Sequence, residues 1–373
     1  MQASELRAAK RFLCFQFETA LGAAVHATPF YEALRRAIPD ASITVAGTRV
    51  PYEVLKYNPH IDEFVLIPQP QLEWKRALGC FLTTVRRKRR QFDCVVMDSG
   101  NRRSRFMLLA LVSGVRRRLG FSMPRDWNHA SLQYDSTKSI LDNNLRLVGL
   151  LGHPYNPTEP GVFFSQTELE HAESFRREHE ISAQRPIVAI QTQTSGGEPN
   201  QWYDDRFVLV ADHLYQSCGA QLIFVGTLRE QARIDSIRNR MRAPSVSAAG
   251  RTDLPGLAAL LAGCDLLVTL DTGTMHVGRS VGMPMVVIAP AKNPEHHWLP
   301  PRSERVRLLM RRDITCRECG KLFCATRECM DQITAPEVMA AAEQHLTAFP
   351  CSAGARLERI AQRLGRSAAI DLH

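Results

Sequence analysis

The sequence predicts an α/β protein built from two Rossmann-like units in tandem, and three observations predict it. Short apolar runs without period-2 alternation recur along the chain, at 12–17, 43–46, 94–97, 187–191, 221–225, 266–270 and 285–288. Such runs suit strands covered on both faces of a parallel sheet. Helical segments alternate with the runs, as a doubly wound sheet requires. The alternation stops in HPYNPTEPG, residues 153–161, and then restarts. At 373 residues the chain has room for about two domains. The expected division is 1–165, 166–350 and a C-terminal helix or tail over 351–373. Two such units would face each other across a cleft, where the C-terminal ends of parallel strands collect ligands.

The elements follow in order. FLCFQF at 12–17 reads as the first strand, ETALGAA as a loop, and Pro29 as the start of a helix running to Ala37. Strands follow at 43–46 and 63–67. The basic run 86–90 reads as the end of a helix, 94–97 as a strand, 105–112 as a helix and 117–121 as a short strand. In the second half, 187–191 and 221–225 read as strands. Helices are expected over 206–217, 230–240 and 254–262. The stretch LLVTLDTGTMHVGRSVGMPMVVIA, 266–289, then gives strand, turn, short helix and strand.

That last stretch is the most informative. A strand that turns into a helix start aims backbone N–H groups and the positive end of a dipole at whatever lies above. The turn Asp271, Thr272, Gly273, Thr274 is therefore an anion site, with phosphate as the expected anion and His276 one step further on. Asp-Thr-Gly also marks aspartic proteases, but those are all-β and need a second equivalent turn. Asp98-Ser99-Gly100 is the nearest approach to one and sits in a segment of different character. Two further loops follow strands of the same half. One is 192–197, with Thr194 and Ser195 among its hydroxyls, and the other is 226–230, ending in Glu230. Hydroxyls and N–H groups in two loops suit a diphosphate, and a carboxylate suits a ribose diol. The three loops describe a nucleotide-diphosphate pocket. No Walker lysine motif and no G-x-G-x-x-G occurs, which disfavours an NTPase or a dehydrogenase.

Composition narrows the partners. The 45% hydrophobic and 23% charged content is that of a soluble globular protein. No apolar run approaches the roughly 20 residues that span a bilayer, and MQASELRAAKR lacks the apolar core of a signal peptide, so a cytoplasmic location is expected. Residues 1–165 hold 23 Lys/Arg against 14 Asp/Glu, and the remainder holds 24 of each. The whole excess of +9 therefore lies in the first half. It is concentrated at 86–90, at Arg102, Arg103 and Arg105, and at 116–118. Such charge suits an anionic glycan, a lipid-linked acceptor or a membrane surface. Sparse aromatics and the lack of a recognition motif argue against nucleic acid. Six of ten cysteines are scattered. The other four, Cys316, Cys319, Cys324 and Cys329, form a cluster whose spacing suits structural zinc or iron, paired thiols or reduced cysteines.

These motifs together resemble glycosyltransferase family 9, the bacterial heptosyltransferases of lipopolysaccharide core assembly. The resemblance covers about 12–345. It rests on 22–29 (GAAVHATP), on 92–98 with 116–121, on 250–254, on 271–276 with 282–284, and on the cysteine cluster. It implies the two-domain GT-B fold and an inverting transfer of heptose from ADP-heptose to a glycan such as the lipopolysaccharide inner core. No metal is required for that catalysis. It puts the pyrophosphate on Thr272, Gly273 and Thr274, with Thr194 or Ser195 on the same phosphates. Glu230 would lie near the ribose, Thr252 near the nucleobase and His276 near the sugar-phosphate. Arg102 and Arg103 would meet the acceptor. Two positions depart from the family. Its general-base Asp is Ala23 here, and its donor-phosphate Lys falls among Asn200 and Gln201 before Trp202. Glu18, Asp98 and His26 are candidates for the base, and Arg279 for the cation. The alternatives are another GT-B enzyme with a protein or small-metabolite acceptor, and a nucleotide-sugar-binding protein with weak or no catalysis.

Overall fold

The computed structural model describes residues 6, 8–123, 127–194 and 197–370. The chain divides into two compact units, Met1–Phe163 with Gly365–His373, and Phe164–Leu364. The stretch expected as one tail is thus shared. Its helix belongs to the second unit and the segment from Gly365 to the first.

The first unit carries β1 (Arg11–Gln16), α1 (Leu21–Ala37), β2 (Ser42–Gly47), α2 (Arg49–Leu55), β3 (Glu63–Leu66), α3 (Trp74–Thr83), β4 (Cys94–Met97), α4 (Ser104–Val112), β5 (Arg117–Phe121), β6 (Ala130–Leu132) and α5 (Ile140–Leu150). Its sheet is parallel throughout, in the order β3-β2-β1-β4-β5-β6. In β1 every residue after Arg11 is buried, as the absence of alternation requires. Phe15, Phe17, Phe81 and Phe106 pack edge-on or tilted, with ring centroids 5.0–5.6 Å apart, and so anchor the backbone that leaves β1.

The second unit carries α6 (Gln166–Glu178), β7 (Ile187–Gln191), α7 (Asp204–Cys218), β8 (Gln221–Val225), α8 (Gln231–Arg238), β9 (Ser245–Ser247), α9 (Leu254–Ala262), β10 (Leu266–Leu270), α10 (Gly273–Ser280), β11 (Met285–Ile288), α11 (Glu295–Trp298), β12 (Val306–Leu309), α12 (Glu328–Asp331), α13 (Ala335–Ala348) and α14 (Ala353–Arg363). Its parallel sheet has the order β12-β11-β10-β7-β8-β9. Counted from the first strand of each unit, both sheets follow the same Rossmann order. Chain direction along the sheet reverses between β1 and β4 in one unit and between β7 and β10 in the other. Among the described residues no helix is long and apolar enough to cross a membrane.

Two expectations need correction. The helix read as starting at Pro29 starts at Leu21, so Gly22, Ala23 and Ala24 lie in its first turns and most of the expected loop is helical. A mid-helix proline removes the N–H that would serve the carbonyl four residues back. Here the Thr28 hydroxyl donates to that carbonyl, Val25 O, at 2.8 Å. Helix α3 ends at Thr83, so the run 86–90 lies beyond it, in turns and a short 3-10 segment, Arg89–Gln91.

Candidate active site

In the second unit the loops after β7 and β10 meet at the reversal of strand order. Leu266–Leu270 is wholly buried and delivers Asp271 to the sheet's edge. Thr272 is extended and its side chain makes no capping hydrogen bond to α10. The first N–H groups of α10 have no intrahelical partner, so they stand ready for an anion. The Thr194 hydroxyl donates to Asp271 O at 3.0 Å and ties the two loops together. Ser195 lies outside the described residues. Burial pushes the Asp271 carboxyl up, against the pull of Lys292. His276 is 4% exposed, with its ring 6.4 Å from that of Trp298. Burial, helped by Arg279, drives its pKa down to about 3, so the ring is neutral and adds no charge to the turn. The Glu230 carboxylate closes a capping box on Thr227 after β8. Thr252 and Asp253 line a cavity of about 430 Å³ with Phe175, Arg251 and Leu260.

In the first unit the loops after β1 and β4 meet in the same way. Asn101 stitches them, donating to Phe15 O at 3.0 Å and accepting from Phe17 N at 3.1 Å. Asp98 is buried and accepts from the Gln16 amide, from the N–H groups of Gly100 and Asn101, and from the Asn101 amide. Burial still pushes its carboxyl up against these donors. Glu18 is partly exposed, and its carboxylate lies directly over Gly100. Burial and then Asp98 push its pKa up to about 7, with Arg103 pulling the other way. His26 is 1% exposed within α1. Arg102 and Arg103 are exposed beside this edge. The Arg102 guanidinium sits 3.8 Å from the centre of the Tyr134 ring and donates to Ser99 O.

The other arginine runs lie elsewhere. Residues 86–90 precede β4, residues 116 and 117 enter β5, and Lys88 pairs with Glu63 at the start of β3. That is the strand N-terminal edge, opposite the site. The basic excess therefore does not form one acceptor surface, and of these three clusters the one at Arg102, Arg103 and Arg105 alone follows a strand.

Comparison with known proteins now gives the family. The model for glycosyltransferase family 9 (heptosyltransferase) matches residues 86–329. The chain belongs to glycosyltransferase family 9. It is 24% identical to the lipopolysaccharide core heptosyltransferase OpsX of Haemophilus influenzae, over 77% of this chain and 81% of that one. Its match to lipooligosaccharide heptosyltransferase 2 of the same organism, also 24% identical, spans 42% of this chain and 44% of the relative. Among solved structures it resembles a family 9 glycosyltransferase from Veillonella parvula, with TM-score 0.80, 22% identity, and 91% and 98% of the two chains covered. It also resembles E. coli ADP-heptose LPS heptosyltransferase II, with TM-score 0.73, 18% identity, and 91% and 99% covered. These likenesses establish the GT-B architecture of the two sheets.

Within this family 9 chain, the position of the missing Asp, Ala23, is buried in the first turn of α1. Gln201 does not act as a free cation substitute. Its amide donates to Thr194 O and its carbonyl accepts from Arg233. Arg279 is in the last turn of α10, about 9 Å along the axis from Gly273 at 1.5 Å per residue, and acts electrostatically on His276. Lys292, which sequence reasoning passed over, follows β11 on the correct edge and acts electrostatically on Asp271. Its position after a buried strand was the available signal. The four clustered cysteines line one small cavity of about 20 Å³ together with Ala291 and Lys292. Cys324 Sγ accepts from Arg327 N, which lowers its pKa, while burial raises that of Cys329. Among the described residues no three potential ligands stand where they could hold a metal ion. The loop's backbone donates to Ala291 O and Lys292 O at 2.7 and 2.9 Å and so braces the Lys292 segment.

Proposed function

We propose that the protein transfers heptose, with inversion, from ADP-heptose to a hydroxyl of an anionic glycan such as the lipopolysaccharide inner core. The observation that carries this reading is the uncapped start of α10 at the reversal of strand order, with Thr194 locked beside it. The N–H groups of Thr272, Gly273 and Thr274 hold the diphosphate and stabilise the charge that grows on it as it leaves. Lys292 supplies the positive charge. Glu230 takes the ribose and Thr252 the nucleobase side. Arg102 and Arg103 take phosphate or carboxylate on the acceptor, which a lipid would carry at the cytoplasmic face of the inner membrane. The transfer needs no metal. The four cysteines are a separate, structural matter. Four soft thiolates suit zinc or iron, and their cavity has the volume of about one ion or water. Binding would draw in thiols that do not yet converge.

The test is incubation with a panel of ADP-, UDP- and GDP-sugars, followed by mass spectrometry of the freed nucleotide. Calorimetry with ADP, UDP and GDP accompanies it. ADP release from ADP-heptose, with ADP binding tightest, is the expected result. Nucleotide binding without release from any donor would establish a binding protein instead.

A further inference from the structure

We propose that Glu18 is the general base that deprotonates the attacking hydroxyl, taking the place of the carboxylate that position 23 lacks. The proposal rests on the glycosyl-transfer reading above. A base for this step must stand at the C-terminal edge of the first unit's sheet, near the reversal of strand order. It must be open to an incoming hydroxyl and must have a lone pair to offer.

Asp98 fails the second condition, being 5% exposed, and its oxygens are already turned to four donors of its own fold. His26 fails the second, being 1% exposed inside α1. Glu18 meets all three. It stands two residues past β1 and is partly exposed, and among the described residues no donor hydrogen-bonds its carboxylate. Its backbone is fixed. The Thr48 hydroxyl donates to Glu18 O at 2.9 Å, and Phe17 is held by Asn101 and by the Gln71 amide. Glycine at position 100 gives the carboxylate its place, since a Cβ there would lie 1.8 Å from Oε1. The charged groups acting on it are Asp98 from the β4 loop and Arg103 from the turn before α4, and together with burial they poise it near neutrality.

The step balances. The hydroxyl oxygen bonds to the anomeric carbon as its proton passes to Glu18. The bond from that carbon to the diphosphate oxygen breaks, and its electron pair leaves with the nucleoside diphosphate. The proton on Glu18 then returns to solvent. Attack opposite the leaving group inverts the centre.

The experiment follows ADP release from ADP-heptose by the full chain between pH 5.5 and 9. One arm has water as the only acceptor and the other has lipopolysaccharide from a heptose-deficient strain. The wild type should show an acid limb near pH 7. Glu18→Gln should fall roughly 10²-fold or more and lose that limb. Glu18→Asp should recover part of the rate, with ADP affinity unchanged in both variants. Retention of the limb in Glu18→Gln, or a rate within about fivefold of wild type, overturns the assignment alone. No ADP release by the wild type overturns the glycosyl-transfer reading and this inference with it.

Discussion

Gly100→Ala tests the geometry around Glu18 without touching the carboxylate itself. The added Cβ would lie 1.8 Å from Oε1, 2.6 Å from Cδ and 3.1 Å from Cγ of Glu18. Ordinary contact begins at 3.4 Å, so the carboxylate end must move by about 1.6 Å, the difference between 3.4 and 1.8. The backbone does not resist, because Gly100 is not among the residues with positive φ. What yields is the end of a flexible side chain, so unfolding should change by under about 1 kcal/mol. A catalytic group displaced by about 1 Å costs on the order of 10²-fold in rate, or about 2.7 kcal/mol of barrier. We expect Gly100→Ala to lose about two decades of ADP-release rate while its melting temperature and ADP affinity stay near wild type. In a Glu18→Gln background the same change should cost almost nothing more, because it acts through the group already removed. A rate within threefold of wild type would refute the reasoning. So would a full second loss in the Glu18→Gln background.

Three further outcomes are expected. His276 titrates near 3 in the folded protein and near 6.5 unfolded, so the unfolded chain holds the extra proton between those values. Stability should therefore fall by up to about 1.4 kcal/mol per unit as pH drops through that window, and urea titrations of His276→Gln should lack this slope. Asp265 and Arg356 form a buried pair, 5% and 6% exposed at the side chain, that also receives Ile187 N at the start of β7. Asp265→Ala should destabilise by about 3–5 kcal/mol, read from chemical denaturation. Protein purified without chelator should carry about one equivalent of zinc or iron by elemental analysis. Cys316→Ser with Cys329→Ser should abolish it, and less than a tenth of an equivalent in the wild type would remove the metal from the account.

The strands were legible because a strand buried on both faces leaves an unbroken apolar run. β7, β8, β10 and β11 each do so, and knowing the edge at which such strands end was enough to put Thr194 beside the 271–274 turn, where its hydroxyl meets Asp271 O. The short outer strands left no such mark. Ala130–Leu132 and Ser245–Ser247 are three residues each and half-buried, which is too short to show a period. Pro29 misled the reading of α1 because the hydroxyl that replaces its missing N–H comes from Thr28, a substitution no propensity rule records. At the site, the contacts that matter join distant positions. Asn101 reaches Phe15 across 86 positions, and the fit of Glu18 over Gly100 exists only once β1 and β4 are neighbours. Charge was misleading for a related reason. Composition counted the arginines of the first half together, whereas the parallel sheet sends 86–90 and 102–103 to opposite edges, because β4 lies between them.

The two strand-order reversals are alike in topology and opposite in electrostatics. At the second, the positive end of α10 stands beside a neutral His276, which suits the diphosphate of the proposed donor. At the first, two carboxylates stand side by side, and only one of them holds the fold together. Asp98 caps its own turn and binds Gln16 and Asn101. Glu18 contributes no such bond among the described residues, yet its ionisation is opposed by burial and by Asp98. A carboxyl whose folded pKa is raised stabilises the fold less as pH climbs from about 4.5 to about 7, because the unfolded chain gives up its proton first. At neutral pH a glutamine there would hold the same volume without that cost. A group that weakens the fold and fixes nothing in it is one whose presence chemistry, rather than packing, explains.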